Sequence, residues 1–329
     1  MLVLDLTRPP RRTPCSFGLR NIFAGSHPHD QFRLMKREEV QLLCAKYGIK
    51  PSKKYGQNFL IDTRVVRKMC AAAELNAEDF VVEVGPGWGT LTQEISRRVK
   101  KMIAVEIDTR MFRVVQELMA MHRNVELVQG DILKYSNREL VKKTKIADRQ
   151  FLFSSDDSYK VVASLPYSIT SALLRKFTEE EPRPVLCVFL VQKEVAERVC
   201  AQPGEMSILS VAVQYYGKPE IVVAVPRSAF WPQPEVESAI LRITPSPSPS
   251  YIKGEKIGVD EKRLFQLVRI GFSSRRKMLK NNIAAGLRLE APRVQEILQR
   301  VGLDPQVRAQ VLSVENWIAL THAIWYNRN

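Results

Sequence analysis

The 329-residue chain has few of the residues that build metal sites and disulfide frameworks: five cysteines and four histidines. Cys15, Cys44, Cys70, Cys187 and Cys200 form no close pair, and His27, His29, His122 and His322 are not grouped with them. Structural zinc needs such ligands at short spacing, so no metal is expected. The same scatter excludes a disulfide framework and leaves free thiols, which suit a reducing compartment. No apolar run approaches the ~20 residues that span a bilayer, and no stretch resembles a secretory signal. Internal repeats and heptad arrays are missing, which excludes solenoids and coiled coils. A soluble globular protein without a membrane partner is the expectation.

Acidic excess is missing as well, and its opposite is unevenly placed. The net charge is +15; residues 1–54 carry +7, residues 55–250 only +1, and residues 251–329 another +7. Basic ends on a chain of this size favour a polyanionic partner, because neutralising phosphates releases counterions.

Residues 1–34 mix arginines with Pro, Gly and Ser and lack periodicity, so a disordered extension is expected there. From residue 35 to 244 short apolar runs alternate with helical stretches. FVVEVG (80–85), KMIAVEI (101–107), NVELVQGD (124–131), YKVVASL (159–165) and VLCVFLVQ (185–192) read as strands. TLTQEISRRV and MFRVVQELMAMH between them have helical spacing. Strands that alternate with helices call for a mostly parallel, doubly wound sheet: an α/β fold of Rossmann-like type. PSPSPSYIKGEKIG (245–258) reads as a linker, and residues 259–329 as a small all-α domain.

The first of these strands runs into VEVGPGWGTLT, with Gly85, Gly87 and Gly89 at a strand-to-helix turn. Glycines there permit positive φ and let a ligand approach the backbone beside free helix N–H groups. Glu106 ends the next strand, 21 residues after Gly85, where an acid can accept both hydroxyls of a ribose. Asp131 ends the third, placed to accept from an adenine amine. An adenosine-containing cofactor is implied. The glycine spacing is G-x-G-x-G rather than the G-x-G-x-x-G that admits a pyrophosphate, which disfavours a nicotinamide dehydrogenase. With Glu83 two residues upstream, the loop looks like the S-adenosylmethionine loop of Rossmann-like methyltransferases.

KKYGQNFLID (53–62), VEVGPGWGTLT, AVEID, QGDIL, SLPYSITS, FWPQPEVESAILRI (230–243) and FSSRRKMLKNNI (272–283) follow one another in this order. The set closely resembles the ribosomal RNA small-subunit adenine dimethyltransferase family, over roughly residues 40–325. The resemblance implies S-adenosylmethionine as donor, small-subunit ribosomal RNA within a pre-30S-type subunit as partner, and double methylation of two adjacent adenosines near its 3′ end. It implies that Asn58, Leu60, Gly85, Glu106, Asp131, Ile132 and Ser164 line the cofactor pocket. In a D/N/S-x-P-aromatic motif the Ser164 side chain and Leu165 carbonyl would accept from the target amine, Pro166 would fix the turn, and Tyr167 would stack on the base. Phe230 would face the base from the other side. Lys53, Lys54, Arg64, Arg275, Arg276, Lys277 and Lys280 would contact RNA phosphates, the last four within one or two helical turns. The family normally carries asparagine where Ser164 stands. That departure keeps a second expectation open, a ribosome-assembly or RNA-binding factor of the same fold with weak methylation. A cytoplasmic monomer is the simplest expectation, with an organelle as the lesser one.

Overall fold

The computed structural model describes residues 37–52, 56–142, 145–146, 149–150, 158–246, 251–252, 255–256 and 259–326. The expected extension over residues 1–34 therefore lies outside the described residues, as do Lys53 and Lys54.

Seven strands form the central sheet: β1 (Phe80–Val84), β2 (Lys101–Glu106), β3 (Val125–Gln129), β4 (Lys160–Ser164), β5 (Leu186–Gln192), β6 (Gly217–Val225) and β7 (Ser238–Pro245). Their order is β3-β2-β1-β4-β5-β7-β6, with β3 to β5 parallel and β7 antiparallel to both neighbours. The order reverses between β1 and β4, and the crevice at the carboxyl ends of such strands is where doubly wound sheets bind ligands.

Helices cover both faces. Val81, Met102, Ala104, Val162, Val188 and Leu190 point to one face, against Val65, Val66 and Met69 of α2 (Thr63–Ala72) and Leu91 and Ile95 of α3 (Thr90–Ser96). The alternate residues Val82, Ile103, Val161, Cys187 and Phe189 face the other way, against Leu173, Leu174 and Phe177 of α6 (Thr170–Glu179). This alternation follows from the strand period of two. α1 (Arg37–Tyr47) packs Val40 and Leu43 against Met111 and Val114 of α4 (Thr109–Leu118). The chain also forms α5 (Asn137–Lys142), α7 (Lys193–Val199) and α8 (Ile208–Tyr216).

Four helices follow: α9 (Glu261–Gly271), α10 (Leu279–Leu287), α11 (Ala291–Arg300) and α12 (Val314–Trp325). Their core is not self-contained, because Met206, Val211, Tyr215 and Tyr216 pack into it with Leu267, Ile283, Leu298 and the fully buried Trp317. Helix α8 thus serves both the sheet and the helical cluster. A Cβ at Gly271 would run into the Trp317 indole and lie 2.9 Å from Leu279 Cδ1. Gly271→Ala is expected to cost about 2 kcal/mol by overpacking, read as a lower urea midpoint.

Three sequence expectations need correction. Arg275, Arg276, Lys277 and Lys280 do not share one or two helical turns: Ser273–Met278 make a turn between α9 and α10, held by Asn282, whose amide donates to the carbonyls of Gly271 (2.6 Å) and Ser274 (3.0 Å). Pro245, placed at the start of the linker, is the last residue of β7, and beyond it Tyr251–Ile252 pair with Glu255–Lys256. The sheet's two antiparallel strands, β6 and β7, were not among the strands expected from sequence.

Candidate active site

The β1–β4 crevice opens into a cleft, the kind of concave site in which small ligands bind. Its wall combines stretches far apart in sequence: 56–60, 83–88, 90–91, 105–107, 130–132 and 164–167, with Met111, Ile169 and Phe230.

The glycine loop leaves β1 with φ of +67° at Gly85, +55° at Gly87 and +77° at Gly89, a backbone that side chains with a Cβ resist. Gly89 caps α3 in the left-handed conformation, and a Cβ there would meet Met119 Cε at 2.9 Å. Glu106 anchors the loop, since its carboxylate accepts from the N–H groups of Gly87, Ile107 and Asp108, the last at 2.9 Å. Burial pushes the Glu106 carboxyl up to about 7, an effect these N–H groups partly offset. Glu83 is 1% exposed, with Oε2 lacking a hydrogen-bond partner among the described residues, and burial pushes it up to about 8. Asp131 lies two residues beyond β3, where it caps a short 3₁₀ turn by accepting from Leu133 N (3.0 Å). Ile132 beside it is buried.

The segment before α2 forms the opposite wall. Phe59 and Leu60 pair with Trp231 and Phe230 in a two-residue antiparallel ribbon. Asn58 Nδ2 reaches the Gly56 carbonyl at 3.5 Å. Gln57 ties this segment to the glycine-loop side, because its Oε1 accepts from Ser52 N (2.8 Å) and its Nε2 donates to Asp108 Oδ2 (3.2 Å). Sequence reasoning passed over Gln57, Phe59, Trp88 and Ile107, all of which line the cleft. The quoted GQNF and GPGWG stretches held three of them, yet only the fold puts them on one wall.

At the end of β4, Ser164 pairs with Leu190 of β5 and is half-buried. Leu165 donates its N–H to Leu190 O (3.0 Å), and the Pro166 carbonyl accepts from Ile169 N (3.2 Å) and Thr170 Oγ1 (3.0 Å), which fixes the turn at both ends. Tyr167 is half-buried, and burial raises its phenol above the usual range. Phe230 is 3% exposed and packs in the core beneath the cleft as well as lining it, so core packing and cleft lining are both true of it.

Arg64, Arg275, Arg276, Lys277 and Lys280 are not among the residues that line the cleft. Arg64 projects from the first turn of α2 and its guanidinium bonds both Asp62 oxygens (3.1 and 2.8 Å). Arg275, Arg276 and Lys277 are exposed in the turn between α9 and α10 rather than on a helix, while Lys280, in α10, donates to Gln295 Oε1 (3.2 Å).

No lysine or arginine lines the cleft among the described residues; its charged side chains are Glu83, Glu106 and Asp131. An acidic cleft in a protein of net charge +15 is unsuited to a pyrophosphate and suited to a ligand with hydroxyls, an amine and positive charge. The donor set therefore fits S-adenosylmethionine, whose adenosine carries no phosphate. Among the described residues there is no cluster of His, Cys, Asp and Glu that could hold a metal ion, and no helix long and apolar enough to cross a membrane. Cys44, Cys70, Cys187 and Cys200 are free thiols, which burial makes harder to ionise.

Residues 48–323 match the model of the family described as ribosomal RNA adenine dimethylase. Ribosomal RNA small subunit methyltransferase A of Dehalococcoides mccartyi is 42% identical over 271 residues, 82% of this chain and 87% of that protein. The protein of the same name from Bacillus cytotoxicus is 37% identical over 288 residues, 86% and 94% of the two chains. A dimethyladenosine transferase from Plasmodium falciparum superposes with a TM-score of 0.62 at 25% identity, over 79% of this chain and 94% of the other. The 23S rRNA methyltransferase ErmE gives 0.61 at 25% identity, over 81% and 99%. With a family model matched along most of its length and relatives this similar, the chain belongs to the ribosomal RNA adenine dimethylase family.

Proposed function

We propose that the chain transfers methyl groups from S-adenosylmethionine to adenosine amines of small-subunit ribosomal RNA, twice on each of two adjacent adenosines near the 3′ end. The observation that carries this reading is the acidic cleft at the β1–β4 crossover, lined by no lysine or arginine among the described residues, which brings the glycine loop against the Ser164–Tyr167 turn. The curated relatives are named as methyltransferases, which favours the enzyme over an assembly factor of the same fold.

S-adenosylmethionine, when bound, supplies an activated methyl group on a sulfonium. Glu106 holds the ribose hydroxyls, Asp131 and Ile132 the adenine, and Asn58, Leu60 and Gly85 complete that half of the cleft. In the other half, the Ser164 hydroxyl and the Leu165 carbonyl accept from the two hydrogens of the target amine. An adenine amine is a poor nucleophile because its lone pair is delocalised into the ring; two aimed acceptors turn the nitrogen towards sp³ geometry. Tyr167 and Phe230 grip the extruded base, as enzymes that act on a base take it out of the stack. The main contribution of the protein is positioning.

The pH dependence of binding follows from Glu106. Ribose hydroxyls donate to the ionised carboxylate, and burial sets its titration at about 7. The dissociation constant of S-adenosylhomocysteine, measured by calorimetry, is expected to rise towards about tenfold per pH unit below that point and to level off above it. Arg64 and the exposed Arg275–Lys277 turn meet RNA phosphates; Lys53 and Lys54 are assigned the same role by motif. A cytoplasmic monomer acting on the assembling small subunit completes the proposal. Purified protein, labelled S-adenosylmethionine and small subunits lacking the modification test it: label recovered as dimethyladenosine supports the reading, and subunit binding without label transfer refutes it.

A further inference from the structure

Ser238 opens β7, is fully buried, and its hydroxyl lies 2.9 Å from the Tyr167 hydroxyl. The two residues are 71 positions apart, and the contact crosses the sheet: Tyr167 follows β4, Ser238 begins β7, and β5 lies between them. In the ladder, Ser238 stands opposite Gln192 of β5 and Val225 of β6, so its backbone is fixed from both sides. A hydroxyl buried this deeply costs free energy unless it is hydrogen-bonded, and Tyr167 supplies the bond.

The consequence concerns the ring between these anchors. At its backbone end Tyr167 is held by the Pro166 turn, through Ile169 N–H and the Thr170 hydroxyl on the Pro166 carbonyl. At its far end it is held by Ser238. Stacking alone needs only an aromatic face, which phenylalanine provides; a ring pinned at both ends also has a set tilt and depth. We propose that Ser238 is a positioning residue for the reaction: its hydroxyl fixes the Tyr167 ring so that the stacked base presents its amine to Ser164 and the Leu165 carbonyl. This rests on the reading of Tyr167 as the platform for the target base. A misplacement of about 1 Å at a reacting centre can cost on the order of a hundredfold in rate, so loss of one of two anchors is expected to cost about tenfold.

The test is a double-mutant cycle on methyl transfer to small subunits lacking the modification, with cofactor affinity measured alongside. Ser238→Ala and Tyr167→Phe remove the same hydrogen bond from opposite sides; the second changes no side chain of the sheet but leaves the buried Ser238 hydroxyl unpaired, so the folding stability of both variants is measured alongside. Each is expected to lower kcat about tenfold. The double variant should be no slower than either single, because one shared interaction is lost. The dissociation constant for S-adenosylhomocysteine should not change, and a crystal structure of Ser238→Ala should show the Tyr167 ring displaced. A single variant at the wild-type rate, losses that multiply in the double variant, or an unmoved ring would each overturn the proposal. Tyr167→Ala separates this from failure of the underlying reading. If it loses activity while Tyr167→Phe keeps it, only the tether is wrong; if it keeps activity, the ring is not the platform.

Discussion

Ser164→Ala is expected to slow methyl transfer about a hundredfold while binding of S-adenosylhomocysteine changes only a few-fold. The magnitude follows from preorganised hydrogen-bond groups at a reacting centre, each worth about 10²–10³ in kcat when removed. The affinity holds because Ser164 sits at the carboxyl end of β4, across the cleft wall from the Glu106–Gly87 anchor, and contributes one of many contacts there. Its backbone stays in register with Leu190, so the substitution removes an acceptor without moving the turn. Ser164→Asn is the informative counterpart. An amide reaches roughly one bond further than a hydroxyl and offers a carbonyl oxygen that cannot donate. The rate is expected to rise, and an unchanged rate would show that the 164 side chain does not accept from the target amine.

Glu106→Gln is expected to weaken S-adenosylhomocysteine binding by about 3 kcal/mol, on the order of a hundredfold, since hydrogen bonds to a charged group are worth about 1.5–3 kcal/mol each. The loss comes from two directions. The ribose hydroxyls lose a charged acceptor, and the N–H groups of Gly87, Ile107 and Asp108 lose the carboxylate that holds the glycine loop. Folding should not suffer, because the native carboxylate is buried and its ionised form is disfavoured there. Calorimetric titration at several pH values checks both parts: the variant should bind weakly and show no rise in dissociation constant below about 7, the point at which the native group titrates. A variant that kept the native pH profile would assign the titration to another group, and Glu83, pushed up to about 8 on the same wall, is the one to examine next.

What the sequence made legible is what local physics encodes. Val- and Ile-rich strands ending in Gly85, Glu106, Asp131 and Ser164 could be read singly, because each sits at a strand end whose carboxyl side must face the crevice. Their convergence followed from the parallel topology. Strand β6 carries an apolar block, Ile221–Val225, but Pro219 near its start argues against a central strand, and its place at the sheet edge, with Ile221 and Val222 exposed, is set by the fold alone. The turn at 273–278 was hidden because its stop signal is not local. Helical spacing continues through Arg275 and Lys280, and the break is held by the Asn282 side chain reaching back to Gly271 and Ser274. Gln57 was missed for the same reason, since its partner Asp108 lies 51 residues away. The acidity of the cleft was also out of reach of composition: the chain is strongly basic, and only the fold segregates the acids of β1 and β2 from the lysines and arginines around them.

The most direct measurement is a crystal structure of the protein with S-adenosylhomocysteine. The ribose hydroxyls are expected on the Glu106 carboxylate, the adenine beside Asp131 and Ile132, and the sulfur directed at the space between Ser164 and Tyr167. Ligand density elsewhere, or a ribose turned away from Glu106 with the sulfur remote from Ser164, would contradict the proposed function.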